Sequence, residues 1–76
     1  MTSEEIERIK TIKRTYEKNW LAINGVVGVG IGRTSSGKTG LIVSVKADAE
    51  RIRELIPKQI GNIEVEIQET GEIKAL

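Results

Sequence analysis

The chain reads as an α+β domain, a two-layer sandwich in the order α-β-β-α-β, and three features of its 76 residues predict this. Apolar side chains recur at helical spacing as far as Ile23. Two apolar runs flank a polar, glycine-bearing loop between Val26 and Lys46, and Ile63, Val65 and Ile67 alternate with Glu64, Glu66 and Gln68. The first pattern is that of an amphipathic helix, the second of a hairpin, and the third of a strand buried on one face only. With 38% hydrophobic and 30% charged residues, the balance is that of an ordinary globular protein. A chain of this length forms one domain that buries only roughly 60% of its unfolded surface, which leaves little room for a large active-site cavity.

The opening run spaces Ile6, Ile9, Ile12, Tyr16, Trp20 and Ile23 by three and four, so one stripe of the first helix faces the core. Thr2 followed by Glu5 is a capping-box signature at its start, and Glu4 and Glu5 suit the positive end of the helix dipole. Glu7, Lys10, Arg14 and Lys18 lie opposite the stripe as a solvated face. Arg8, Lys10, Lys13, Arg14 and Lys18 together form a candidate basic patch. Tyr16 and Trp20, one turn apart, either cap the core or serve as an exposed aromatic anchor for a partner. Asn24 and Gly25 both tolerate the left-handed conformation that ends helices.

The first strand then places Val27, Val29 and Ile31 on one face and Gly28, Gly30 and Gly32 on the other. Glycine weakens a strand, and three in alternation mark a bulge, a bend or the close approach of another backbone or a ligand. No charge interrupts this strand, which predicts a central place in the sheet. Residues 33–40 form the hairpin loop, where Arg33 and Lys38 are candidates to hold an anion. The second strand sets Leu41, Val43 and Val45 against Ile42, Ser44 and Lys46. Asp48 is expected to cap a short helix bearing Ile52, Leu55 and Ile56, which Pro57 stops. Ile60 is expected to tuck into the core, with Gly61 and Asn62 as a turn before the third strand. Residues 72–76 form an added strand or a tail. A right-handed crossover would lay the third strand parallel to the second, on the far side of the first. The expected sheet is mixed and three-stranded, in the order 2-1-3, with two helices on one face.

Several function classes are removed by composition. The chain has no Cys and no His, so disulfide scaffolds, zinc fingers, Cys nucleophiles and Ser-His-Asp triads cannot be assembled from it. Its acids lack the ligand spacing of a calcium loop, so neither a metal nor another cofactor is expected. Twelve basic and eleven acidic residues nearly cancel, which predicts no strong draw toward nucleic acid or an anionic membrane. No apolar run reaches the ~18 residues of a membrane span and the N-terminus is acidic and polar, so a cytoplasmic address is the default.

The run NGVVGVGIGRTSSGKTGLIVSV contains a literal phosphate-loop string, because Gly32, Gly37, Lys38 and Thr39 fit G-x-x-x-x-G-K-S/T. In nucleotide-binding proteins that loop opens a helix whose N-terminal amides hold the phosphates. Here Gly40 and the β-branched run after it predict a strand, so nucleotide binding at this loop is the weakest of the readings. Glu64 and Glu66, neighbours on one strand face, could be taken for a catalytic pair, but a charged outer surface accounts for them. A second reading is single-stranded nucleic-acid binding, since the element order resembles a trimmed type II KH domain. The one G-x-x-G, residues 25–28, has Val26 and Val27 at its centre and leads into a strand.

The succession NGVVGVGIG, LIVSV and IPKQIGNIEVEIQETGEIKAL resembles a small α/β domain found beside trypsin-like peptidase domains in bacteria. The resemblance spans residues 24–76 and implies a fold more than an activity. It carries no triad residue onto this chain. It is compatible with a propeptide-like role in which residues 70–76 lie in a protease cleft. The favoured reading is a non-enzymatic protein-interaction module that binds a partner protein or itself. Its candidate surface comprises Gly28, Gly30, Gly32, Arg33, Lys38, Tyr16 and Trp20.

Overall fold

The computed structural model describes residues 3–70. Helix α1 (Ser3–Leu21) leads into strands β1 (Val26–Arg33) and β2 (Thr39–Val45). Helix α2 (Ala49–Leu55), a short β3 (Gln59–Ile60) and β4 (Ile63–Glu69) follow. The α+β class holds, and the sheet is mixed. The Thr2 half of the expected capping box and residues 71–76 lie outside the described residues.

The strand count and order differ from expectation. Four strands form the sheet in the order β1-β2-β4-β3, so β2 is central and β1 stands at the edge. β2 pairs antiparallel with β1 and parallel with β4. The parallel partner therefore lies beside β2 and not beyond β1. The physical reason lies in β2, whose Leu41, Val43 and Val45 are all fully buried. A crossover through a helix of seven residues returns the chain next to the strand it left, as consecutive elements usually do. The glycine run of β1 offers no second apolar face to bury, and its freedom from charge reflects small residues, not centrality.

The fourth strand arises from the link. Gly61, in the left-handed region at φ 59°, and Asn62 form a two-residue turn that pairs Ile60 with Ile63 and Gln59 with Glu64. Asp48 occupies the cap position of α2 in a left-handed conformation, φ 59° and ψ 35°, with no hydrogen bond from its side chain. It serves as a tight turn that aspartate tolerates, in place of the side-chain cap expected of it. Leu55, unlike the buried Ile52 and Ile56 of the same expected helix, is 57% exposed.

A single core joins both helices to one side of the sheet. Ile9 and Trp20 from α1 and Ala49 and Ile52 from α2 pack with Leu41, Val43, Val45, Ile56, Ile63 and Val65. Ile12, Tyr16 and Ile60 pack against that cluster. Two glycines are required by this packing. Gly25 sits at φ 104°, and a Cβ there would press on Ile52 and the Ala47 carbonyl. A Cβ on Gly40 would collide with the Glu64 carbonyl of β4 and crowd the Thr34 methyl. Gly28 and Gly30 differ, since a Cβ on either would meet nothing within 4 Å.

Gly40→Ala should therefore lower unfolding stability by about 1–3 kcal/mol, the usual cost of overpacking. Gly30→Ala should leave stability unchanged or raise it by up to about 1 kcal/mol, because alanine restricts the unfolded chain more. Urea unfolding followed by circular dichroism measures both.

Candidate functional site

The outer flank of β1 is an edge of the described sheet with few guards. β1 ends the strand order, and no described strand pairs with its outer side. Sheet edges are normally guarded by short length, lysine, proline or a covering element, because their unpaired amides and carbonyls recruit other chains. β1 has eight residues and no charge or proline before Arg33. Its one guard is a bulge between Val26 and Gly28, which displaces Val27 and leaves it 54% exposed.

The hairpin sets which groups face outward. Thr34 N–H donates to the Lys38 carbonyl at 2.8 Å, and antiparallel ladders alternate from there. Gly28, Gly30 and Gly32 thus direct their backbone groups inward to Ser44, Ile42 and Gly40 of β2. Val29, Ile31 and Arg33 direct theirs to the free edge. On the helix side of the sheet, Ile31 is 43% exposed although it stands opposite the buried Leu41. It lines a cleft of about 320 Å³ with Lys10, Lys13, Arg14 and Glu17 of α1. Lys13 Nζ lies 2.6 Å from Glu17 Oε2, whereas Lys10 reaches Glu7 only at 4.0 Å. On the opposite side of the sheet, Gly28 and Gly30 leave a bare floor beside Ser44 and Ile42, and Ile42 leans over Gly32 with its Cγ1 3.1 Å from where a Cβ would stand.

The GRTSSGKT loop has a different role from the one its string suggests. Three of its amides, those of Thr34, Ser35 and Gly37, are taken by acceptors of the same chain. Ser35 N–H donates to Glu66 Oε1 at 2.8 Å, and Gly37 N–H to the Thr34 carbonyl at 2.9 Å. Ser36 Oγ lies 2.9 and 2.7 Å from the two carboxylate oxygens of Glu64, and Thr34 Oγ1 lies 2.9 Å from Oε2. Gly37, Lys38 and Thr39 lead into β2, so the loop opens no helix. Glu64 and Glu66 are the anions this loop binds. They draw it toward β4 and away from the outer flank of β1.

The predicted surface residues are thus divided. Gly28, Gly30, Gly32 and Arg33 share β1, while Lys38 lies in the loop, where its charge favours the ionised Glu64. Trp20 is only 4% exposed and belongs to the core, which removes it as an anchor. Tyr16 stacks on it with ring centroids 5.3 Å apart and is half-buried. Residues 25–28, the G-x-x-G of the nucleic-acid reading, span the turn into β1 rather than a link between helices. Sequence reasoning left Lys10, Arg14 and Ile31 out of the candidate surface, since only the packing of α1 over β1 brings them together. No described helix is long and apolar enough to cross a membrane. Comparison with protein-family models, curated proteins and solved structures finds no match to this chain.

The loop contacts set a pH dependence. The Ser36 and Thr34 hydroxyls hold the Glu64 carboxyl below its ordinary range, and Ser35 and Gln68 do the same for Glu66. Because the unfolded chain then takes up these protons first, the loop contacts stabilise the fold fully above the ordinary carboxylate value. That contribution is lost as the pH falls through the lowered folded values. The Ser35 amide shift in an NMR titration should follow Glu66, with a midpoint below the ordinary carboxylate range. Glu66→Gln should flatten the titration.

Proposed function

We propose that this domain is a non-enzymatic protein-interaction module that docks a partner along the outer flank of β1. The observation that carries the reading is an eight-residue edge strand, free of charge and proline up to Arg33, whose outward backbone groups at Val29, Ile31 and Arg33 have no described strand to pair with. Strand addition to such an edge draws affinity from main-chain hydrogen bonds and selectivity from the side chains on either face. Gly28 and Gly30 support it, because neither a positive φ nor crowding requires glycine at either position. Local rules broken without a folding reason point to function. The absence of Cys and His from the sequence is in keeping with a module that binds and does not catalyse.

Two variants test the docking edge. Ile31→Pro removes an outward N–H without touching the β2 ladder, and Ile31→Lys adds a guarding charge at a half-exposed site. Both should keep the circular dichroism spectrum of the parent chain. A protein captured from cells by the parent and lost with both variants meets the expectation. A protein retained equally by all three, or no retained protein, contradicts it.

A further inference from the structure

From the same edge we infer the chemical class of the partner: an extended segment that alternates acidic with large aromatic side chains. The inference rests on the docking reading above and goes further by choosing the occupant. Charge makes the first choice. A strand added beside Val29 and Ile31 turns alternate side chains toward the cleft between α1 and β1, lined by Lys10, Lys13, Arg14, Glu17 and Ile31. Lys13 is neutralised by Glu17, Lys10 is held only loosely by Glu7, and Arg14 makes no ion pair among the described residues. A carboxylate arriving there gains the attraction of Lys10 and Arg14, and a cation is repelled.

The remaining side chains of the added strand fall on the opposite side of the sheet, next to Gly28 and Gly30. Direct cross-strand neighbours stand close enough to pack, and a large side chain beside a glycine leans across its vacant face. Ile42 already does this to Gly32 from the inner side. Gly28 and Gly30 are left for side chains from outside, and aromatic rings cover a bare backbone best for their loss of rotamer freedom.

A second copy of this chain fits less well. Pairing two β1 edges about a two-fold axis would set cleft beside cleft, with Lys10 and Arg14 of each copy facing like charges. It would also lay glycine beside glycine and leave both floors uncovered. The acidic, aromatic strand satisfies both faces at once.

The test uses the full chain labelled with ¹⁵N and capped synthetic peptides of alternating phenylalanine and glutamate. These are about six residues long, matching residues 28–33 at roughly 3.3 Å per residue. Binding should move the amides of Val29, Ile31 and Arg33 most and slow their hydrogen exchange. Replacing the glutamates by lysine, or the phenylalanines by alanine, should each weaken binding by about tenfold. Arg14→Glu, which leaves two cations and two anions in the cleft, should abolish the preference, so that the lysine and glutamate peptides bind alike. Gly30→Val, which fills the floor, should weaken the glutamate peptide by about tenfold while the cleft is intact. Parent-chain binding indifferent to peptide charge, shifts centred away from β1, or no shift at millimolar peptide would each overturn the inference. So would shifts of the same amides on raising protein concentration alone, which would identify a second copy as the occupant. If the parent chain captures a cellular partner that Ile31→Pro and Ile31→Lys lose, yet the peptides fail, the docking edge stands and the acidic, aromatic class falls.

Discussion

Leu41, Val43 and Val45 of β2 are wholly removed from water, and the other elements are disposed so as to keep them there. Each such side chain stabilises the fold by roughly 1.5–3 kcal/mol relative to exposure, a large share of what so small a domain can muster. All three point to the same side of one strand. Both helices must therefore cover that side, and the described residues hold no third helix for the other. The open face of β2 is accordingly mixed, with Ile42 and Ser44 half-buried.

The flanking strands inherit this asymmetry. On one side, the β4 backbone approaches β2 so closely at Gly40 that only hydrogen fits, and the Glu64 carbonyl occupies the space a side chain would need. Thr34 seals that junction, being 4% exposed while its hydroxyl reaches Glu64. On the other side, β1 receives α1 over its apolar face, while no described residue covers Gly28 or Gly30. The loop that could have shielded its outer flank is held by Glu64 and Glu66 on the β4 side. The exposed edge thus follows from how the core and the loop are satisfied.

Much of this architecture is legible in the residues. The spacing from Ile6 to Trp20 marks α1, the alternation from Ile63 to Gln68 marks β4, and the apolar runs about residues 33–40 mark the hairpin. Strand order departs from the expectation because freedom from charge does not by itself make a strand central: without large side chains at Gly28, Gly30 and Gly32, β1 has little to bury and stands at the edge. β3 was legible but unread, since a Gly-Asn pair between two isoleucines is a hairpin signal. The loop latch was not legible, because Ser35 and Glu66 are 31 residues apart and neither type names its partner. Lys10 and Arg14 were legible as part of the basic patch of α1, but their meeting with Ile31 was hidden for the same reason. Their common cleft exists only once α1 lies on β1.

The phosphate-loop string shows how context decides chemistry. Glycines and hydroxyls at those spacings do make a loop that binds anions, and here the anions are Glu64 and Glu66 of the same chain. Placed before β2 instead of a helix, the motif becomes a fastener. The interest of the chain shifts to the strand that precedes it, where two glycines satisfy no demand of the fold.

Amide hydrogen exchange in the free chain tests this account most directly. With β1 at an open edge, Val29, Ile31 and Arg33 should exchange freely while Gly28, Gly30 and Gly32, bonded inward to β2, are protected. Uniform protection along β1 in the free chain would show that its outer flank is already covered, and would contradict the account.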